Sequence, residues 1–95
     1  MGTLPIAIKR LRRIPTERRI TVKMVDREYL DHDQAQCEWD GKDATICIAT
    51  HQSQEERIDG LVHEWAHALT DPRANTHGPA WGRNYAKCYR VVRGE

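Results

Sequence analysis

The pattern of apolar and polar positions in the first half of the chain predicts β-strands. Residues 19–26 alternate apolar with polar side chains and are rich in β-branched residues, which is typical of a strand. Two more such runs, residues 35–39 and 44–50, flank the sequence Asp40-Gly41-Lys42-Asp43. Because an Asp-Gly pair between alternating runs favours a tight turn, these runs should form a hairpin. We therefore expect a small antiparallel sheet that contains this hairpin.

The second half of the chain repeats its apolar residues at helical spacing in two segments. Ser53 and Glu56 have the spacing of a capping box at the start of the first helix, and Pro72 ends that helix. Pro79 suits the first turn of the second helix. The apolar positions are Ile58, Leu61, Val62, Trp65 and Leu69 in the first helix and Trp81, Tyr85, Cys88, Tyr89 and Val92 in the second. The predicted fold class is α+β, with the sheet packed on a central helix and a C-terminal helix.

The basic N-terminal segment, residues 1–18, fits two kinds of structure. Leu4, Ile8 and Leu11 have the spacing of one helix face. The run Ile6-Ala7-Ile8 also fits a short strand. The apolar pattern alone leaves both alternatives open for this segment.

Composition limits the classes of protein that fit. The chain has 95 residues, of which 39% are hydrophobic, so we expect one small domain, residues 1–95, whose modest core a bound metal ion would reinforce. The three cysteines are too few for a disulfide scaffold, and none are spaced as CxxC. No apolar run reaches the ~18 residues of a membrane span, and the N-terminus lacks a signal-type apolar region. We therefore expect a cytoplasmic protein without a membrane partner, and the oligomeric state stays open.

Charge is distributed unevenly along the chain, although the formal net charge is only +1. Residues 1–27 hold eight basic and two acidic residues, residues 28–71 hold two basic and eleven acidic ones, and residues 72–95 hold five basic and one acidic. Basic ends around an acidic middle can bind a polyanion such as DNA with one face. They can equally fold back and neutralise the acidic middle, so DNA is only a candidate partner.

The strongest chemical signal is the sequence His63-Glu64-Trp65-Ala66-His67 inside the predicted central helix. Residues four apart lie above one another on a helix, so His63 and His67 can hold one metal ion through two imidazoles. Glu64 is offset around the helix, where it can act as a general base instead of a ligand. This division suits hydrolysis by a metal-activated water, with Zn²⁺ as the expected cofactor and Glu64 as the expected catalytic residue.

A catalytic zinc site needs a third protein ligand and one open position. After His67, the remaining candidates are Asp71, His77 and Glu95. Asp71 lies at the end of the same helix, and three ligands on one helix surround a metal ion poorly. Glu95 is the terminal residue. His77 is therefore the expected third ligand, because it lies in a loop that is free to fold back.

His77 also begins the string His77-Gly78-Pro79-Ala80-Trp81. Together with His63-Glu64-Trp65-Ala66-His67, this string resembles the SprT-like metalloprotease domain, a group that includes the Spartan-type proteases of DNA–protein crosslinks and many small phage proteins. The sequences Cys37-Glu38-Trp39 and Gly82-Arg83-Asn84-Tyr85-Ala86 look closest to the phage branch. The resemblance extends over residues 19–92, although the chain lacks the zinc ribbon of many SprT relatives.

This resemblance implies a minimal zincin-like fold and a metalloendopeptidase that acts on a protein or peptide substrate. It implies zinc on His63, His67 and His77. It also implies that Glu64 is the catalytic acid/base, and that the protein is phage-encoded and acts in the host cytoplasm.

Four further residues near the motifs are candidates for supporting roles, and each also suits a structural or surface position. Tyr85 and Arg83 can stabilise the transition state. Asp71 and Asn84 can orient an imidazole. We also expect residues 44–50 to border the cleft as an edge strand that accepts substrate by strand addition.

Two other functions fit the same residues. Zinc held by three histidines can serve structure alone, in a module that binds DNA or a protein partner. The chain can also be a regulatory protease that cleaves itself in its basic N-terminal stretch. A fourth protein ligand would favour the first alternative, and a fragment whose release depends on Glu64 would favour the second.

Overall fold

The α+β class is confirmed by a computed structural model, which describes residues 3–30, 34–74 and 76–94. Glu95, which the sequence disfavours as a ligand, lies outside these residues. No helix within them is long and apolar enough to cross a membrane. The elements in chain order are α1 (Leu4–Leu11), β1 (Arg19–Val25), a 3₁₀ helix (Arg27–Leu30), β2 (Ala35–Asp40), β3 (Asp43–Ala49), α2 (Gln54–Leu69), α3 (Pro79–Tyr89) and a π-helical turn (Arg90–Gly94).

The sheet is mixed, which corrects the expectation of a wholly antiparallel one. β2 and β3 form the predicted antiparallel hairpin, and Gly41 in its turn has a φ of 63°, a conformation that glycine adopts at little cost. β3 pairs on its other side with β1, and this pairing is parallel. The alternation that identifies a strand carries no information about the direction of its neighbour. The pairing of β1 is parallel because its neighbour is the central strand β3 and not β2.

β3 occupies the centre because both of its faces are apolar. Residues 46–49 are all buried, whereas Glu38, Trp39 and Asp40 of β2 are exposed. A strand buried on both faces suits the middle of a sheet, and a polar strand suits an edge. The expectation that residues 44–50 form the edge strand of the cleft is therefore wrong, because β2 lies at that edge.

The central helix α2 packs on the sheet and organises the main core. The predicted capping box is present: Ser53 Oγ accepts from the Glu56 N–H at 3.2 Å, and the Glu56 carboxylate accepts from the Ser53 N–H at 2.9 Å. The N-terminal segment forms a helix and not a strand, and Leu4, Ala7 and Leu11 of this helix belong to the same core. The buried residues of α2 are Ile58, Leu61, Val62, Glu64, Trp65, Ala66 and Ala68.

Candidate metal centre

Three imidazoles converge beside the C-terminal half of α2. His63 and His67 lie one helical turn apart, and the loop before α3 returns His77 to them. Nε2 of His77 lies 3.1 Å from Nε2 of His63 and 3.2 Å from Nε2 of His67. The structure thus brings together the three residues that the sequence predicts as metal ligands.

The separations between these nitrogens suit a tetrahedral metal ion. Zinc–imidazole bonds of about 2.0–2.1 Å at tetrahedral angles place neighbouring nitrogens about 3.3 Å apart. Hydrogen bonding accounts for the cluster less well, because Nε2 of His77 has either one hydrogen or one lone pair and faces two partners. A shared cation lets all three lone pairs point at one centre, so the donor set fits zinc.

An unusual backbone conformation brings His77 to this position. Its φ is 61°, in the left-handed region that residues with side chains seldom adopt. Such a conformation costs on the order of 1–3 kcal/mol and persists only where the surroundings hold it. Immediately afterwards, Gly78 caps α3 and its carbonyl accepts from the Gly82 N–H at 2.9 Å. The start of α3 therefore anchors the strained turn.

Trp81 forms a wall against the three imidazoles, a contact that the apolar pattern does not predict. The distances from its ring to the rings of the three histidines are 4.7 to 5.4 Å. Its indole N–H also donates to the backbone carbonyl of His63 at 3.4 Å. Tyr85, a candidate for transition-state stabilisation, stacks on Trp81 with ring centroids 4.9 Å apart. The signal available in the sequence is the short spacing from His77 to Trp81.

Glu64 lies beside the histidines and outside the group of three candidate ligands. Its Oε2 atom is 4.0 Å from Nε2 of His63, and its side chain is only 11% exposed. Two ligand atoms on one tetrahedral zinc ion would be about 3.3 Å apart, so this distance places the carboxylate next to the ligand shell. The position suits a base that takes a proton from a neighbouring molecule.

A cleft of about 530 Å³ opens beside Glu64 and His63. One wall is α2 and the other is the start of β2. The two elements approach closely here, since a Cβ atom on Gly60 would lie 3.2 Å from Cβ of Ala35. The lining residues are Gln34, Ala35, Glu56, Asp59, Gly60, His63 and Glu64.

The edge of β2 continues this cleft past the histidines. The Gln34 carbonyl accepts from the Ala49 N–H at 3.0 Å. This hydrogen bond shows which residues of β2 bond to β3 and which do not. In an antiparallel pair, alternate residues bond to the partner, so the backbone groups of Ala35, Cys37 and Trp39 point away from β3. Trp39 also lines a small cavity with His67 and Trp81. An extended peptide on this edge would thus pass the candidate metal centre.

The imidazoles of His63 and His67 are held in the form that binds metal ions. Burial, and secondly the charge of His77, lowers the pKa of His63. Burial, followed by the charges of His63 and His77, lowers the pKa of His67 to about 4. Both rings are therefore neutral near pH 7, as ligation requires. On β2, burial and then the Glu64 carboxylate raise the pKa of Cys37 to about 12, so its thiol stays protonated.

Without metal, the free energy of unfolding should fall as the pH drops from about 6.5 to about 4. The pKa of His67 is about 4 when folded, below the ordinary value of 6.5, so the unfolded chain binds the extra proton in this window. Urea unfolding of chelator-treated protein at about pH 7, 5.5 and 4.5 measures the effect. The His67→Gln variant cannot titrate at this position and should show a weaker dependence on pH. Equal dependence in both proteins would contradict the prediction.

The other residues considered for supporting roles have partners outside the histidine cluster or none. The Asp71 carboxylate pairs with Arg73 at 3.0 Å, and this bond lowers the pKa of Asp71 to about 2. The Asn84 amide donates to Thr70 Oγ1 at 2.9 Å and so ties α3 to the end of α2. Arg83 is exposed and has no hydrogen-bond or ion-pair partner among the described residues. These contacts favour structural or surface roles for Asp71, Asn84 and Arg83.

The histidine cluster is the one group of three or more metal-binding side chains found within residues 3–30, 34–74 and 76–94. Its side chains come from α2 and from the loop that precedes α3. No protein-family model, no curated protein and no solved structure matches the chain.

Proposed function

We propose that this chain is a zinc-dependent endopeptidase. The observation that carries the proposal is the convergence of the Nε2 atoms of His63, His67 and His77 on one point. Glu64 lies next to that point, on the wall of a cleft large enough for a peptide. The resemblance of residues 63–67 and 77–81 to the SprT-like metalloprotease domain, with its zincin-like fold, supports the same function.

Each residue of the site has a defined part in the proposed reaction. The three imidazoles would hold the zinc ion beside the cleft. When bound, zinc supplies Lewis acidity, which polarises a peptide carbonyl and lowers the pKa of water from ~15.7 toward ~7. The Glu64 carboxylate accepts a proton from the attacking water and returns it to the leaving amine nitrogen. Its low exposure limits competition from bulk water for this proton.

The edge of β2 is the proposed docking strand for the substrate. A peptide that pairs with Ala35, Cys37 and Trp39 is recognised mainly through its backbone. This mode predicts weak dependence on side chains and a preference for extended or unfolded protein. Such a substrate needs no separate specificity domain.

A purely structural zinc site is less well supported by the geometry. Structural zinc sites have four protein ligands, whereas catalytic sites keep one position open. The cluster among the described residues offers three ligands. The position of Glu64 beside these ligands also favours catalysis, since a structural site has no use for a neighbouring base.

Part of the charge on the basic ends is neutralised within the protein. Arg93 in the C-terminal turn pairs with Glu55 and Asp59 of α2 at 3.0 and 2.7 Å. Arg19 pairs with Asp43 at 3.3 Å. These pairs favour the alternative in which the ends fold back on the acidic middle. Binding of DNA by the remaining basic residues stays a prediction.

The proposed function predicts one zinc ion per chain and hydrolysis of an unfolded protein. Elemental analysis measures the zinc content, and release of peptides from fluorescently labelled casein measures the activity. A chelator should abolish hydrolysis, and added zinc should restore it. Zinc binding without hydrolysis would favour the structural module, and the absence of zinc binding would overturn the proposal.

A further inference from the structure

A second cavity, of about 270 Å³, lies on the side of α2 away from the histidines. Trp65 is two positions from both His63 and His67, which places its side chain on the opposite side of the helix. Its ring forms one wall of the cavity, and the chain between α1 and β1, together with Ile20 of β1, forms the rest. The cavity is therefore separate from the candidate metal centre.

The charged side chains in the walls of this cavity are both cationic. Arg12 and Arg18 both line it, and no acidic residue does. Neither arginine forms an ion pair with any carboxylate in the described part of the chain. An adjoining cavity shares Thr16 and Arg18 and adds one basic residue, Lys42, and one acidic residue, Glu17. Cationic side chains that share a cavity repel one another, and a bound anion would remove that repulsion.

The guanidinium of Arg12 is held in place at the wall. Its Nη1 donates to the carbonyl of Ile20 at 2.9 Å, and its central carbon lies 5.5 Å from the ring centroid of Trp65. The cation–π contact and the hydrogen bond fix the plane of the group while most of its five donors stay available. A guanidinium fixed in this way loses little freedom when it binds an anion.

A hydroxyl group adds hydrogen-bonding capacity at the same place. The hydroxyl of Thr16 accepts from the backbone N–H of Arg18 at 3.1 Å, and its own hydrogen can still be donated. The indole N–H of Trp65 is buried and has no acceptor among the described residues. Arg12, Arg18 and Thr16 thus supply the hydrogen-bond donors of this cavity.

We propose that the cavity binds a phosphate group through Arg12 and Arg18. Guanidinium groups match the oxygen atoms of phosphate in pairs and form stronger hydrogen bonds to them than neutral donors do. Phosphate is favoured over a carboxylate because its tetrahedral oxygen atoms can meet two guanidiniums and the hydroxyl of Thr16 at once. The cavity exceeds the volume of a phosphate ion, so it also accommodates the phosphate group of a mononucleotide.

The test uses the indole N–H signals of ¹⁵N-labelled full-length protein. The three tryptophans give separate signals, and Trp39→Phe and Trp81→Phe assign the Trp65 signal by elimination. Inorganic phosphate, added at constant ionic strength, should shift the Trp65 signal saturably, with half-saturation near or below about 1 mM. A linear shift, or equal shifts of all three signals, would overturn the proposal.

Matched charge variants identify the binding residues. Arg18→Gln and Arg12→Gln should each weaken phosphate binding by about tenfold or more. Arg12→Gln also removes the contact with Trp65, so Arg18→Gln is the decisive variant. Arg13→Gln makes the same change of charge at an exposed residue outside the cavity and should bind like the parent protein. Equal affinity in Arg18→Gln and Arg13→Gln would overturn the proposal.

A second titration distinguishes the two sources of the phosphate group. A 5′-mononucleotide that binds more tightly than inorganic phosphate, while its nucleoside does not bind, assigns the cavity to a phosphorylated ligand. Equal affinity for the mononucleotide and inorganic phosphate assigns it to the free ion. If the nucleoside binds as tightly as the mononucleotide, recognition of phosphate is excluded and the proposal fails.

Discussion

Replacing Glu64 with glutamine should abolish peptide hydrolysis while zinc stays bound. Glutamine has nearly the same shape as glutamate but cannot accept the proton that Glu64 is proposed to take. General base catalysis contributes about 10²–10⁴-fold to a rate, and a loss of at least this size is expected in kcat/KM. Casein hydrolysis measures the activity, and elemental analysis shows whether the zinc content is unchanged.

Asp59→Asn is the matched control for this experiment. Asp59 lines the same cleft on the same helix, and the substitution makes the same change from acid to amide. Its carboxylate pairs with Arg93 at the surface, so we expect activity within about twofold of the parent protein. Thermal unfolding of both variants shows whether the fold is kept. Activity that survives in Glu64→Gln would exclude Glu64 as the base. Equal losses in both variants would show that activity depends on the negative charge of the cleft and not on a general base at Glu64.

Local interactions account for the features that the sequence predicts well. The capping box, the hairpin turn at Gly41 and the spacing of His63 and His67 each depend on residues within four positions of one another. A local sequence pattern determines such contacts almost by itself. The helix that carries two of the proposed ligands is therefore predictable from its own residues.

Features that depend on distant residues are harder to predict. The parallel pairing of β1 with β3 arises because the apolar strand takes the centre of the sheet, a competition between strands that no single strand encodes. The side-chain contact of Trp81 with the histidines depends on the loop that brings α3 back to α2. Spacing identifies His77 only by elimination, because its approach depends on a φ of 61° that spacing does not reveal.

The edge strand illustrates how one such error changes the proposed site. Residues 44–50 alternate clearly, but as the central strand β3 they have neighbours on both sides. β2 is the more polar strand, and this polarity is the signal that could have identified the edge. The correction moves the proposed docking strand to Ala35, Cys37 and Trp39, next to the cleft and the histidines.

Replacing His77 with asparagine should weaken zinc binding by at least about 100-fold. Loss of a group that merely supports a ligand typically costs 10–100-fold, and loss of a ligand should cost more. Asparagine tolerates the left-handed backbone conformation of His77, so the variant removes the imidazole without adding strain. Competition with a fluorescent zinc chelator measures the affinity.

The same variant should lose most of the stability that zinc confers, because His77 is the proposed ligand that joins the loop before α3 to α2. At a free zinc concentration 100 times the Kd, binding adds about 2.7 kcal/mol to the free energy of unfolding. A 100-fold weaker Kd leaves about 0.4 kcal/mol at that concentration. His51→Asn makes the same substitution at an exposed histidine outside the cluster and should keep the full zinc effect. An undiminished zinc effect in His77→Asn would show that the metal does not link the loop to α2.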